Sequence, residues 1–260
     1  GPGTELLINR GQEKTVYDAV ASLEITEHVL YMNEKTGYKI ADYYEGTRNA
    51  DSADWADMEK CMSMVRRLHQ SGITVAHSFD IRERISFYEN LCRSHGALLF
   101  EDYEEVKGWM DWLMDTLDSM ERPKCLCHID ANVDNFLFFE DGSVKLLDWE
   151  YAGMCDPVMD VSMCAIYSYY KEEDMERLFR LYLRREPSED ELFALYANAA
   201  LGGFLISLLA MRTIWVSCIL LFIVQEHPLV DMWLLDTDRR YCLDIPQWWQ
   251  QPAKHTDDSI

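Results

Sequence analysis

Residues Cys127–Gly153 read CHIDANVDNFLFFEDGSVKLLDWEYAG. Two short apolar runs, Phe136–Phe139 and Val144–Leu147, flank Glu140-Asp141-Gly142. A glycine turn between two β-prone runs reads as a hairpin. Asp130 and Asn135 stand just before the first run, and Asp148 just after the second. An unpaired buried carboxylate is costly. Acids gathered at the ends of an apolar hairpin therefore point to a cation to hold or a proton to move. Asp130 lies five residues before Asn135, and Asp148 lies thirteen beyond it. Closing the hairpin should bring Asn135 and Asp148 together. A carboxylate and an amide oxygen are hard donors that suit Mg²⁺, with phosphate oxygens in its other positions. Asp130 is then left to accept a proton from a hydroxyl.

Outward from this stretch, the periodicity is mostly helical. Val16, Ala19, Val20 and Leu23 mark a helix over Gln12–Leu23, and VLYM (29–32) and YKIADYY (38–44) form a first hairpin around NEKTG. Trp55, Met58, Met62, Val65 and Leu68 predict a helix that ends at HQSG. Val106 to Met120 predict another, and further helices are expected at Met175–Tyr182 and from Leu192 onward. Methionines and tryptophans in such stripes are core positions by default. The order is a small helix-plus-hairpin unit, then a larger helical unit whose one strong strand signal is the quoted segment.

The bulk properties narrow the function. With 260 residues, 48% of them hydrophobic, the chain can bury a sizeable core. A net charge of −22 argues against a nucleic-acid partner and favours cationic small molecules and metal ions. The chain opens on GPGTELLINR with no secretory signal, so a cytoplasmic protein with eight reduced cysteines is expected; Cys125 and Cys127 form a C-x-C with no second pair at zinc spacing. Leu201–Val224 is long and apolar enough for a membrane span, but Arg212 sits at its middle. A central Arg costs about 2.5–3.5 kcal/mol on insertion, so a buried helix or helix pair is expected and no membrane span.

His-x-Asp-x-x-x-x-Asn, a hairpin, then Asp is the order of the catalytic and metal loops of kinases. Around that order, HIDANVDNFLF…VKLLDWEYAGMCDPVMDVSM, together with GTELLINR, RRLHQSG and FDIRERISFYENL, closely resembles the bacterial choline kinases and the wider choline/ethanolamine and aminoglycoside phosphotransferase superfamily. The resemblance covers most of residues 1–185. It implies an α+β, bilobal, protein-kinase-like fold. The N-lobe would be reduced to a helix plus β-hairpin with the hinge (1–46), and a mostly helical C-lobe (47–260) would carry the catalytic hairpin.

By the same resemblance, ATP and Mg²⁺ are the cofactors. Asp130 looks like the base or the orienting group for the substrate hydroxyl, Asn135 and Asp148 look like the metal ligands, and Glu13 resembles the helix Glu that pairs with a basic residue on an N-lobe strand. Backbone near Asp42 and Tyr44 would meet adenine, and Glu150 and Tyr151 would face the acceptor. His128 resembles a structural loop anchor. No Ala-Pro-Glu comes after Asp148-Trp149-Glu150, so a small molecule rather than a protein is the expected substrate, choline first. Tyr151, Tyr167, Tyr169 and Tyr170 could supply aromatic faces for such a cation, core packing being the plainer reading of the last three.

The chain departs from the family in two places. GPGTELLINR matches the segment just after the first N-lobe strands, so their phosphate-covering turn and basic residue lie in a part not given, or this form binds ATP weakly. The usual Trp-x-x-Trp of the choline cage is replaced by GGFLISLLAMR. Either the cage is rebuilt from Trp215 and Trp233, each of which alone reads more plainly as core packing, or it is missing and the substrate is a different alcohol; Arg240 and Tyr241 resemble a terminal Arg-Tyr of the family. The rivals are a kinase for another amino alcohol or an aminoglycoside and, in another class, an inactive kinase-like binding module. The sequence leaves the oligomeric state open.

Overall fold

The computed structural model describes residues 7–94 and 102–214, with side chains to Ala210. Helix α1 (Arg10–Val20) starts where Asn9 caps it, its Oδ1 accepting from the Gly11 and Gln12 amides at 3.1 and 3.2 Å. Glu13, Val16, Tyr17 and Val20 form its buried stripe. The helix begins two residues earlier than the periodicity predicts. It ends at Val20, and Ala21–Leu23 tighten into a 3₁₀ turn. Strands β1 (Val29–Met32) and β2 (Lys39–Ala41) then pair antiparallel, with a bulge between Val29 and Tyr31. Gly37, at φ +70°, closes their turn by donating to the Asn33 carbonyl at 2.8 Å.

Two short sheets hold the quoted segment. β3 (Arg48–Asn49), β5 (Phe136–Phe138) and β6 (Val144–Leu146) form a three-stranded antiparallel sheet in that order. β4 (Cys125–Cys127) pairs with β7 (Gly153–Cys155). The expectation of a single strand signal beyond the first hairpin is therefore corrected: β3, β4 and β7 are strands as well. Each is two or three residues long, too short to show a period of two, and each exists through its partner. Gly153 is required by that packing. A Cβ there would lie 2.9 Å from the Phe79 amide nitrogen, where the chain passes beside β7.

The helices wrap these sheets. They are α2 (Trp55–His69), α3 (Ile81–Ser94), α4 (Tyr103–Ser119), α5 (Val158–Tyr167), α6 (Glu172–Leu183) and α7 (Glu189–Ile214). Met58, Met62, Val65 and Leu68 of α2 are buried as the periodicity predicts. From Leu201 to Ile214 the apolar run continues α7, which packs on α5, α3 and α4; the rest of the run lies outside the described residues. Gly202 permits the approach to α5, since a Cβ there would lie 2.7 Å from Met163 Sδ. By length and composition Glu189–Ala210 could cross a membrane, and half of its most apolar stretch is buried inside the protein.

Candidate active site

One backbone bond and the Asn135 side chain set the geometry at the hairpin ends. The Leu147 amide donates to the Asn135 carbonyl at 2.8 Å, which brings Asp148 beside Asn135. Asn135 Nδ2 donates to the Asp130 carbonyl at 2.9 Å and to its carboxylate at 3.1 Å. Asn132 caps the 3₁₀ turn Val133–Asn135 with its side-chain oxygen. The structure thus brings Asp130, Asn135 and Asp148 together, as the spacing predicts.

The set fits a hard cation. Asn135 spends its amide nitrogen on Asp130, which leaves Oδ1 as a donor atom. No hydrogen bond among the described residues uses the Asp148 carboxylate. Asp148 is also held at φ +65°, a conformation that costs a non-glycine residue energy and clusters at functional sites. Those two oxygens are of the type Mg²⁺ prefers.

A second positive φ explains a residue the sequence reading left without a role. Ile129 sits at +71°, an outlier for a β-branched residue. Its amide donates to Asp160 Oδ1 at 2.6 Å, and the His128 amide donates to Asp160 Oδ2 at 2.9 Å. Asp160 is fully buried on α5, and its Oδ2 also accepts from His69 Nε2 at 2.8 Å. Burial opposes ionisation of Asp160, but the His69 hydrogen bond and charge outweigh it and hold the carboxyl below the usual range. Burial likewise opposes a charged His69, and Asp160 more than compensates, raising its pKa. The pair clamps the strained backbone that leads into Asp130. The signal available in the sequence was one Asp inside the apolar run VMDVSMCAI.

His128 is buried. Its Nε2 donates to the Leu147 carbonyl at 2.8 Å, and its ring lies edge-on to Trp149 at 4.7 Å. It thereby ties the loop before Asp130 to the residue before Asp148.

The outer residues divide. Glu13 is buried and pairs with Arg10 of its own helix at 2.6 Å, not with a strand residue among those described. Arg10 also reaches Glu150 at 3.1 Å, so α1 is linked to the segment after Asp148. Burial first, and then the Asp148 charge, raise the Glu150 pKa, while Arg10 opposes them. The basic residue on the hairpin, Lys39 of β2, instead bonds Glu27 at 2.8 Å and the Tyr17 hydroxyl at 2.5 Å. Asp42 pairs with His28 at 2.9 Å, and the Tyr44 hydroxyl accepts from the His28 amide at 3.2 Å.

Tyr151 and Tyr167 are half-buried and lie in the field of Asp130. Burial, then the Asp130 charge and hydrogen bond, raise the Tyr167 pKa. Burial, and then Tyr88, Glu150 and Asp130, do the same for Tyr151. Tyr88, which the sequence reading did not single out, is buried beside them. Tyr170 goes to the core, stacked on Trp55 at 5.2 Å. Tyr169 is exposed. Trp215, Trp233, Arg240 and Tyr241 lie outside the described residues.

The comparisons agree with this architecture. The model of the phosphotransferase enzyme family matches residues 29–194. Protein LicA of Haemophilus influenzae is 27% identical over 169 residues, covering 62% of this chain and 48% of its own. The chain thus spans about half the length of that curated relative. The crystal structure of choline kinase LicA from Streptococcus pneumoniae superposes with a TM-score of 0.73 at 24% identity, covering 84% of this chain and 76% of that one. A structure of LicA in complex with AMP gives 0.74 at 23% identity, covering 90% and 81%. At these identities the superpositions establish the kinase-like fold.

Proposed function

The chain belongs to the phosphotransferase enzyme family, and we propose that it moves the γ-phosphoryl group of ATP to the hydroxyl of a small cationic alcohol, choline before others. The observation that carries this is the convergence of Asp130, Asn135 and Asp148 at the hairpin ends, with Asn135 bonded to Asp130 at 2.9 and 3.1 Å. Asp130 accepts the proton of the acceptor hydroxyl, and Asn135 Nδ2 holds its carboxylate in place. Asn135 Oδ1 and the Asp148 carboxylate hold Mg²⁺, which neutralises phosphate charge when bound. Position and charge are the contribution of the protein, with no covalent intermediate.

Backbone near Asp42 and Tyr44 meets the adenine; use of an adenine nucleotide is supported by the AMP-bound structure of the same fold. Glu13 and Arg10 brace Glu150. Glu150 supplies negative charge for the acceptor, and Tyr151 and Tyr167 supply aromatic faces that suit a quaternary ammonium. Trp215 and Trp233, outside the described residues, are the candidates for the rest of that cage. Use of ATP fits a cytoplasmic protein.

The test is ADP release from Mg²⁺–ATP with choline, ethanolamine or an aminoglycoside as acceptor. The largest kcat/KM is expected with choline, and Trp215→Ala or Trp233→Ala should raise its KM about thirtyfold, the equivalent of roughly 2 kcal/mol. Faster turnover of ethanolamine or an aminoglycoside would replace choline and leave the phosphotransferase. No ADP release with any acceptor would leave a kinase-like binding module.

A further inference from the structure

Beside Asp160, on β4 and at the end of α2, lie two sulfurs and a ring nitrogen that the phosphotransfer reading does not use. Cys125 and Cys127 are two apart on β4, so their side chains share a face of the strand. Their sulfurs are 3.8 Å apart. A ring nitrogen of His69, at the end of α2, lies with both sulfurs inside a sphere of contacts no longer than 4.8 Å.

We propose that His69, Cys125 and Cys127 form a binding site for a thiophilic d¹⁰ cation of the Zn²⁺ type, distinct from the hairpin-end pair of hard oxygens. Three observations carry this. First, two thiolates on a tetrahedral ion, each at about 2.3 Å, stand about 3.8 Å apart, which is the separation in place here. Second, a metal-bound histidine usually gives its other ring nitrogen to a carboxylate. Asp160 already holds His69 Nε2 at 2.8 Å. Nδ1 is then the ligand atom, on which the Tyr182 hydroxyl now sits at 2.9 Å. Third, the charges suit a divalent ion. Binding releases one proton from each thiol, and the Nδ1 proton of a charged His69, to solvent. Two thiolates then cancel the divalent charge in a region where Cys127 is wholly buried, and the ion on Nδ1 takes the place of the imidazolium proton opposite Asp160.

The ion displaces the Tyr182 hydroxyl from Nδ1, and three protein ligands leave a fourth position for that hydroxyl or a water. Cys125 is half-buried and gives the route of entry. Once filled, the site ties α2 to β4. Through Asp160 it also stiffens the backbone of His128 and Ile129.

The probe is Co²⁺ added to the whole chain under reducing conditions. One equivalent should bind with thiolate-to-cobalt charge-transfer bands and the intense d–d bands of a tetrahedral site, and Zn²⁺ should bleach both. Cys125→Ser should lose these bands. Its affinity should fall by more than the roughly 10–100-fold that loss of an outer-shell partner costs. A Cys218→Ser/Cys242→Ser double variant should keep them. In the unmodified protein, Zn²⁺ should protect Cys125 from alkylation and raise the melting temperature, a readout that does not depend on the folding of any variant. Unchanged bands in Cys125→Ser, a six-coordinate spectrum without sulfur bands, or equal alkylation of Cys125 with and without Zn²⁺ would each overturn the site.

Discussion

In the hairpin β1–β2, Leu30, Tyr38 and Ile40 are exposed at 59, 73 and 56%, whereas in β5–β6 Phe136, Phe138 and Leu146 are exposed at no more than 3%. The anchors differ in kind. The first hairpin is held by polar side chains: Lys39 of β2 pairs with Glu27 and bonds the Tyr17 hydroxyl of α1, and His28 bonds Asp42. The second is held by burial and by backbone on both edges. The Ala50 amide donates to the Phe136 carbonyl at 3.1 Å, and the Leu146 amide donates to the Ile25 carbonyl at 2.7 Å. On the proposed function, the ends of the second hairpin hold two donor atoms in register, which asks for rigidity. Apolar packing supplies that rigidity without dependence on salt or pH. Charge pairs at a half-open surface supply it conditionally.

The contrast can be broken most directly at the site it supports. Asp130→Ala should lower kcat by about 10²–10⁴-fold, the usual worth of a positioned acid or base, with an unchanged melting curve. Near-wild-type ADP release from this variant would remove the chemistry from the second hairpin. Asp148→Asn and Asn135→Ala should each weaken Mg²⁺–nucleotide binding in titration calorimetry, since each alters one oxygen of the pair.

Phe136→Ala tests the burial itself. A fully buried Phe truncated to Ala costs about 3–5 kcal/mol, measurable as a shift in urea midpoint. Activity should fall with it, because Asn135 is the neighbouring residue. A loss under 1 kcal/mol, on the order of a surface change, would mean that the second hairpin is no better anchored than the first.

The first hairpin should respond to charge. Lys39→Met leaves Glu27 buried without its cation, an effect of about 1–3 kcal/mol. Burial opposes ionisation of Glu27, but the Lys39 charge and hydrogen bond outweigh it, so its carboxyl titrates below the ordinary range. A carboxyl with a depressed folded pKa contributes its full stability above the unfolded value and loses it as pH falls through the folded one. Hydrogen-exchange protection, relative to the intrinsic rate at each pH, should therefore fall at β1–β2 amides on acidification below the ordinary carboxyl range, before it falls at β5–β6. Simultaneous loosening of both hairpins would show that one cooperative unit holds them. The smallest effect is expected for Ile40→Ser, within about 0.5 kcal/mol, as for most exposed positions. A larger loss would show that the exposed face of the first hairpin is packed in solution.

The core of the candidate site was legible because it is local. Asp130, Asn135 and Asp148 lie along one hairpin, and hairpin geometry converts their spacing into proximity. The helices α1, α2, α4 and α6 were legible through their apolar period. Helix α5 was not, since it is buried on nearly every side and shows no stripe. The strands β3, β4 and β7 were too short to carry one.

By itself the sequence determined the kinase order of loops, the hard-oxygen pair at the hairpin ends, the acidic character of the chain and most of its helices. Each of these depends on neighbours within a few turns or one hairpin. Tertiary structure alone decided which groups hold that local arrangement in place. Arg10 reaches Glu150 across 140 residues, and His69 reaches Asp160 across 91. It also decided that a C-x-C strand faces the end of α2. Spacing along the chain carries no information about such pairs. They form because burying an ionised carboxylate requires a partner wherever the fold can bring one, and only the packing of α1, α2 and α5 around the hairpin determines which residue that is.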